Sequence, residues 1–344
     1  MVLVSNYALG LLCCIYCCLC WGSWSNTQKL VIGGKSRVRW TAELFYWDFA
    51  IGLFLTGLLG ALTLGNLGND GQTFVSNLQT MDMRSALYAL TGGIVWNFAN
   101  VFLAAAIAVA GMSVAFPIGG GIGWIGGIVF NYLLVVVAGK TYPGSEALLW
   151  TGVAIIIVAI VLNGKAYGQL ADSKQSTPTR GILLALASAV GLVFFYGLVV
   201  KSLSAEYVAG GTGTLTPYTG VFFFGLGALL TTPIFNGFAM RHPAQGGEPV
   251  GLKDYLAGDM RTHLIGMLGG FIWMSGMVIS FMGSGAANPA ISYALSNAAP
   301  VVAIIWGTLI WKEFRGAPKT ANILITSTFI LFIIGLICIS LSNN

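Results

Sequence analysis

Charged residues are scarce in this sequence: Asp, Glu, Lys and Arg make up only 8% of its 344 residues. Soluble domains carry roughly 25% charged residues, so this chain lacks the polar groups that a water-facing surface needs. Hydrophobic residues account for 56% of the chain, and the mean hydropathy is +0.83. The composition excludes an ordinary soluble domain and predicts a membrane protein.

The apolar runs also lack the alternation of apolar and polar residues that membrane β-barrel strands show. The run at 152–162, GVAIIIVAIVL, is apolar on every side. About 20 apolar residues cross a hydrocarbon core of ~30 Å as a helix. We therefore predict an all-α polytopic membrane protein with ten transmembrane helices, at approximately 7–25, 42–64, 85–110, 113–137, 145–163, 181–203, 217–236, 263–284, 288–311 and 320–341.

Sequence signatures of enzymes are missing as well. No Walker loop, metalloprotease helix or nucleophile elbow occurs in a predicted cytoplasmic segment. The two histidines, His242 and His263, are expected to lie in solvent, which argues against a membrane-embedded enzyme. Five cysteines lie in the first apolar run, where we expect packing rather than a metal site. We predict no enzymatic activity, no cofactor and no metal. A scaffold protein is a further alternative, although it would have no use for an internal cavity.

The basic residues predict the orientation of the chain. Thirteen of the 16 Lys and Arg residues fall in the loops after the odd-numbered spans, and only Arg84, Lys140 and Lys201 fall on the other side. Cytoplasmic loops of membrane proteins carry an excess of Lys and Arg. We therefore expect a multi-pass protein of the cell (inner) membrane with both termini on the non-cytoplasmic side. The net charge of +5 reflects this topology rather than nucleic acid binding.

The two halves of the chain match at an offset of 177 residues. Gly92-Gly93-Ile-Val-Trp96 aligns with Gly269-Gly270-Phe-Ile-Trp273, and the match continues through the next two spans. Each half holds five spans, so the second copy enters the membrane from the opposite side, as in many secondary transporters. We predict a 5+5 inverted repeat with halves 1–163 and 181–344 and a cytoplasmic linker at 164–180. Chance similarity of two Gly-rich runs is the alternative, and the spacing shared by three spans argues against it.

Several segments resemble a known transporter superfamily. They are 46–49 (YWDF), 92–100 (GGIVWNFAN), 111–117 (GMSVAFP) and 298–315, which ends in Lys-Glu-Phe-Arg. These segments and the repeat resemble the drug/metabolite transporters, especially the plant ureide permeases and the bacterial glucose/ribose and rhamnose porters. Lys312 stands where those proteins usually have glycine. The resemblance implies a ten-helix secondary transporter.

Glycines are concentrated in the fourth span. Residues 121–126 satisfy the G-x-G-x-x-G pattern, but a dinucleotide site needs a preceding strand and an aqueous helix end, and these residues lie within an apolar span. Gly119, Gly123 and Gly127 are instead spaced by four. Such a stripe lets a neighbouring helix approach closely, or leaves a groove beside a substrate path. The sequence favours packing.

Asp48 is the acidic residue that most clearly falls within a span. An ionised carboxylate at the centre of a membrane helix costs about 2.5–3.5 kcal/mol, and less near its end. Two interpretations stay open. Asp48 pairs structurally with a polar partner at the interface, or it takes up and releases a coupling proton.

Amide and aromatic side chains form the predicted substrate-binding surface. Buried amides are costly unless they are hydrogen-bonded, and they usually face the interior of a helix bundle. Amides between helices contribute roughly 0.6 kcal/mol each on average. These amides therefore either bond helices to one another or line a central cavity. We favour the cavity, because the repeat places the amides at matching depths. The predicted binding residues are Trp96, Asn97, Asn100, Trp124, Asn131, Trp273, Tyr293 and Asn297.

These features favour a secondary active transporter. No cationic cluster lies at mid-membrane, which argues against a strongly anionic substrate. We predict proton-coupled uptake of a small neutral polar metabolite, either a sugar or a ureide-like nitrogen compound, with the substrate, protons and the lipid bilayer as its partners. An exporter of amino acids or drugs is the alternative, which Met277 and Met282 keep open. The oligomeric state does not follow from the sequence.

Overall fold

The computed structural model describes residues 1–32, 39–137, 144–169, 178–208, 210–283, 286 and 298–342. Within them the chain forms helices and connecting turns but no strand. The helices are α1 Tyr7–Ser23, α2 Ser25–Val31, α3 Ala42–Leu62, α4 Phe74–Thr80, α5 Met83–Ala110, α6 Met112–Ala115, α7 Gly121–Val137, α8 Glu146–Gly168, α9 Pro178–Ser202, α10 Pro217–Arg241, α11 Leu252–Leu256, α12 Met260–Met282, α13 Ala299–Ile305 and α14 Lys319–Leu341. Two π-helical turns, Phe116–Gly120 and Trp306–Ile310, follow α6 and α13.

The predicted fold class, an all-α polytopic membrane protein, is confirmed. In the described part of the chain, nine helices are long and apolar enough to cross a membrane. The tenth predicted span, 288–311, is described only from residue 298, where Ala299–Ile310 forms a shorter apolar helix. The count of ten is therefore approximate. The first span is longer than predicted, because α2 continues α1 to Val31.

Polar side chains define where many of the helices begin. The first turn of a helix leaves backbone N–H groups unpaired, and a side-chain oxygen at the N-cap satisfies one of them. Seven helices use this device, with each cap accepting a hydrogen bond from the N–H three residues later. The caps are Asn6, Thr41, Thr73, Asp82, Ser145, Thr216 and Asp259.

The large contacts between the two halves of the chain come in equivalent pairs. Helix α3 packs on α12, and α10 packs on α5. Helix α1 packs on α12, and α9 packs on α5. Two further contacts, α3 with α10 and α8 with α14, join equivalent helices of the two halves. Two inverted five-helix units would produce contacts that recur when the helices of one half are interchanged with those of the other. The boundaries of the units at 163 and 181 stay a prediction.

Glycines bring the central helices into contact at equivalent points. A Cβ on Gly93 of α5 would overlap the carbonyl oxygen of Phe224 in α10, and a Cβ on Gly270 of α12 would overlap that of Phe49 in α3. Small residues at such crossings allow backbones to approach closely within a membrane. A second pair of crossings repeats this arrangement, Gly52 against Met267 and Gly227 against Leu90. The four helices α3, α5, α10 and α12 therefore form the tightly packed centre.

Candidate functional site

Two tryptophans from equivalent positions of the repeat meet at the centre. The rings of Trp96 in α5 and Trp273 in α12 have centroids 4.2 Å apart, and both side chains are buried. Phe49 lies 6.3 Å from Trp96, and Phe224 stacks on Trp273 at 5.7 Å with 9° between the ring planes. Trp21 stacks on Trp273 at 5.3 Å. The glycine crossings one turn earlier on α5 and α12 bring these rings together.

A cavity of about 90 Å³ lies beside this cluster. This volume is enough for several water molecules or a compact solute. We call it the central cavity. Its wall is formed by residues of α1, α5, α7, α9, α12 and α13. Its aromatic lining includes Trp21, Trp24, Trp96, Trp124, Phe116, Phe130, Phe195, Tyr196 and Trp273.

The glycine stripe of the fourth span both packs and lines the central cavity. A Cβ on Gly119 would lie 3.1 Å from the carbonyl oxygen of Ala185 in α9, and a Cβ on Gly123 would lie 2.5 Å from Cβ of Leu192. Gly123 and Gly127 also border the cavity. The same small residues therefore let α9 approach and leave space beside it.

Two polar side chains of the wall have unused hydrogen-bonding capacity. Trp124 is buried, and its Nε1–H has no hydrogen-bond partner among the described residues. Asn100 donates from Nδ2 to the Tyr46 hydroxyl at 3.3 Å, while its Oδ1 accepts no hydrogen bond within the described chain. A buried donor without a partner costs about 1–3 kcal/mol. A solute with both an acceptor and a donor would complement these two groups.

Asn97 does not line the central cavity. Its Oδ1 accepts from the Tyr46 hydroxyl at 2.9 Å, and its Nδ2 donates to the hydroxyls of Thr231 and Thr232 at 3.0 and 3.3 Å. These bonds join α5 to α3 and α10. The geometry of Asn97 therefore fits the interhelical role that the sequence left open.

The other predicted binding residues divide into two groups. Trp96, Asn100, Trp124 and Trp273 all line the central cavity. The remaining three cannot be placed there, because Tyr293, Asn297 and the side chain of Asn131 lie outside the described part of the structure.

Asp48 is fully buried and has two polar partners from the second half of the chain. Its Oδ1 accepts a hydrogen bond from the Tyr255 hydroxyl at 2.6 Å, and Nδ1 of His263 lies 2.9 Å from Oδ1 and 3.1 Å from Oδ2. Gly266 makes room, because a Cβ there would lie 2.5 Å from Cβ of Asp48. Trp40 contacts His263 edge-on at 5.1 Å. We call Asp48, Tyr255 and His263 the buried acid cluster.

The solvent placement expected for His263 is wrong. Its side chain is only 17% exposed and is hydrogen-bonded to Asp48, whereas His242 is exposed as expected. His263 is the first residue of the predicted eighth span (263–284), where an exposed helix end is expected, whereas α12 already begins at Met260 and packs His263 against α3. Two features of the sequence point to this pair. Asp48 has no counter-charge in its own span, and a histidine stands at the start of another span.

The buried acid cluster can hold a proton in two places. With the proton on His263 the pair is ionic, and with the proton on Asp48 both partners are neutral. Burial and the hydrogen bond to Asp48 raise the pKa of the Tyr255 hydroxyl, so Tyr255 stays a donor at neutral pH. Asp48 precedes Phe49, which packs near Trp96. The cluster is thus one residue removed from the aromatic centre.

Glu313 ties the end of the ninth span to the start of the fourth. Its carboxylate accepts from the backbone N–H groups of Met112 and Ser113 at 2.9 and 3.0 Å and forms an ion pair with Lys29. Negative charge at a helix N-terminus is stabilising. Gly111, with φ +84°, leaves space for this carboxylate, since a Cβ there would lie 2.7 Å from Cδ of Glu313.

Lys312 adopts a backbone conformation that favours glycine. Its φ is +53°, and within the described chain it is the one non-glycine residue with a positive φ. This conformation costs an L-residue about 1–2 kcal/mol. Glycine adopts this conformation without strain, which explains why the resembling transporters usually have glycine here. This chain has Lys312 instead.

Comparisons with known proteins agree with this fold and sequence pattern. A family profile described as Ureide permease matches residues 45–180 and 181–342. Ureide permease 1 of Arabidopsis thaliana is 28% identical over 167 residues, which cover 45% of this chain and 42% of the plant protein. Ureide permease 2 of the same plant is 25% identical over 154 residues, covering 42% and 38%. The matches thus span about two fifths of the plant proteins. A solved crystal structure aligns over 95% of this chain and 96% of its own length with a TM-score of 0.52 and 16% identity, which shows a shared fold.

Proposed function

Because the chain belongs to the ureide permease family, we propose that it is a secondary transporter that imports ureides or related small nitrogen compounds through the central cavity. The observation that carries this proposal is the wall of the cavity itself. Trp96 and Trp273 meet there from equivalent repeat positions, next to the unpaired Nε1–H of Trp124. Membership of the drug/metabolite transporter superfamily is part of the same proposal.

The lining of the cavity selects a neutral, planar, hydrogen-bonding solute. None of its described lining residues is charged, so an ionic solute would lose its hydration without a counter-charge. Tryptophan faces stack well on planar groups. A ureide offers carbonyl oxygens that can accept from Trp124 Nε1 and N–H groups that can donate to Asn100 Oδ1. A sugar can stack on the same rings and is the competitor to be tested.

The proposed coupling site is the buried acid cluster. Asp48 is enclosed, shares hydrogen bonds with His263 and Tyr255, and adjoins the aromatic centre through Phe49. A proton moving between Asp48 and His263 changes the charge of both groups without changing their sum. Uptake of one further proton makes the pair cationic, and its release restores the neutral sum. The two five-helix halves would then alternate access, with both termini on the non-cytoplasmic side of the cell membrane.

The cavity gives export less support than uptake. A more apolar, methionine-lined cavity would favour an exporter of amino acids or drugs, but neither Met277 nor Met282 belongs to the described lining. Met277 is instead buried in the packed core.

Uptake by proteoliposomes containing the purified chain tests the proposal. Labelled allantoin, a ureide, should accumulate when the outside is acidic, and labelled glucose should not. Asp48→Asn should abolish accumulation driven by the pH gradient but retain exchange of labelled for unlabelled allantoin. Preference for glucose would refute the substrate class. Full gradient-driven accumulation by Asp48→Asn would refute the coupling site, and loss of exchange together with loss of folded protein would assign Asp48 a structural role.

A further inference from the structure

An apolar groove lies between the ninth and last spans, away from the central cavity. It has a volume of about 610 Å³, and α13, the following π-helical turn and α14 form its walls. Its apolar lining consists of Ile304, Ile305, Leu309, Phe314, Ile325 and Phe329. Leu309 is 67% exposed and Ile310 is 58% exposed. In a membrane-spanning chain, such side chains face lipid acyl chains.

Two cations stand at one end of this groove. Lys312 and Arg315 line it, both are exposed, and neither forms an ion pair within the described chain. Glu313, which lies between them in sequence, is occupied by Lys29 and by the amides at the start of α6. The two positive charges therefore remain without a carboxylate partner.

The start of α14 adds to the positive potential. Asn322 lies in its first turn and lines the groove. Helix α14 has 23 residues and no side-chain cap hydrogen bond at its N-terminus. The N-terminal end of a helix carries a partial positive charge that favours anions. Two side chains and one helix end thus present the same sign of charge to one site.

The backbone of Lys312 is an independent indication of function. Its φ of +53° is unfavourable for an L-residue and would be relaxed in glycine. Strained backbone positions persist mainly where a site makes use of them. Here the strained residue supplies one of the two unpaired cations.

We propose that this groove binds an anionic phospholipid, with its phosphate on Lys312 and Arg315 and an acyl chain along the apolar walls. Basic pockets between membrane helices bind acidic headgroups. A free phosphate would use the cations but leave the apolar walls uncovered. A zwitterionic lipid would fill the walls but would gain less from the two cations. The groove therefore fits a lipid that supplies both features, such as phosphatidylglycerol.

The test uses the full chain in nanodiscs of phosphatidylcholine with or without phosphatidylglycerol. Bound lipid is counted by native mass spectrometry, and the thermal unfolding midpoint is measured for each lipid mixture. The test variant combines Lys312→Gly with Arg315→Gln, and Lys253→Gln removes an exposed cation of α11 as the matched control. Since each basic contact near a membrane surface favours an anionic lipid, the double variant should bind phosphatidylglycerol roughly tenfold to thirtyfold more weakly.

Each outcome decides the proposal. Lys312→Gly relieves an unfavourable φ, so the variant should unfold in phosphatidylcholine at a midpoint no lower than that of the wild type. Loss of the phosphatidylglycerol-dependent increase in that variant alone supports the site. Retention of the increase, or an equal loss in Lys253→Gln, overturns it. If inorganic phosphate in phosphatidylcholine discs stabilises the chain as much as phosphatidylglycerol does, the proposal of a lipid site is refuted and the groove is a site for small anions.

Discussion

The contact between Asp48 and His263 predicts a strong energetic coupling between the two residues. Removing one partner of a buried ion pair typically costs about 3–5 kcal/mol, because the other charge stays buried without compensation. In this chain Tyr255 still donates to Asp48 at 2.6 Å, and the carboxyl can take up a proton. We therefore expect His263→Ala to destabilise the fold by about 2–3 kcal/mol, less than the full cost of an unpaired buried charge. Asp48→Asn, which removes the charge but keeps an acceptor, should cost about 1–2 kcal/mol.

A double-mutant cycle measures this coupling. Once Asp48 is Asn, His263→Ala no longer strands a buried charge, so the double variant should cost about 1.5 kcal/mol less than the sum of the single variants. Denaturant unfolding of the purified chain in detergent micelles gives the four free energies. His242→Ala is the matched control, since His242 is the other histidine and is exposed. It should be additive with Asp48→Asn. Additivity of His263→Ala with Asp48→Asn would refute the buried contact.

Two further predictions concern packing and acid stability. Gly270→Ala should destabilise the chain by about 3 kcal/mol, because its Cβ would overlap the backbone of Phe49 and only backbone movement relieves this. Gly237→Ala, which has open space around its Cβ, should be neutral or stabilising by up to about 1 kcal/mol; equal effects in thermal unfolding would contradict the crossing. Hydrogen bonds from Thr214 and Ser85 lower the pKa of Asp82 from 3.8 to about 2. Because the carboxyl pKa is lower in the folded chain than in the unfolded chain, Asp82 stabilises the fold when the pH is above 3.8. This contribution is lost as the pH falls from 3.8 toward 2. Asp82→Asn should make the unfolding midpoint less dependent on pH in this window, and an unchanged dependence would count against the hydrogen bonds at Asp82.

The internal repeat of the sequence indicates which residues meet at the centre of the molecule. Trp96 and Trp273 occupy equivalent positions, and an inverted pair of helices brings equivalent positions together at a shared axis. The hydrophobic windows also located the spans, since their lengths follow from the thickness of the membrane. What the repeat could not provide was the rotation of each helix about its own axis.

That rotation separates Asn97 from Asn100. The two amides lie within one helical turn, yet Asn100 lines the central cavity while Asn97 bonds to α3 and α10. The partner of Asp48 was missed for a related reason. Asp48 and His263 are 215 residues apart, and only the close crossing of α3 and α12 brings them together. Sequence periodicity describes one helix at a time and does not contain this information.

Binding of a ureide in the central cavity is tested by the equilibrium affinity of the purified chain for labelled allantoin after removal of one cavity donor. Trp124→Phe keeps an aromatic ring but removes the buried Nε1–H, which has no partner within the described chain. One lost hydrogen bond of about 1–1.5 kcal/mol weakens binding roughly tenfold. Trp150→Phe, at a half-exposed position on α8 outside the described lining, is the control. We expect a roughly tenfold higher Kd for Trp124→Phe and an unchanged Kd for Trp150→Phe. Wild-type affinity in Trp124→Phe, or an equal loss in both variants, would contradict binding in the central cavity.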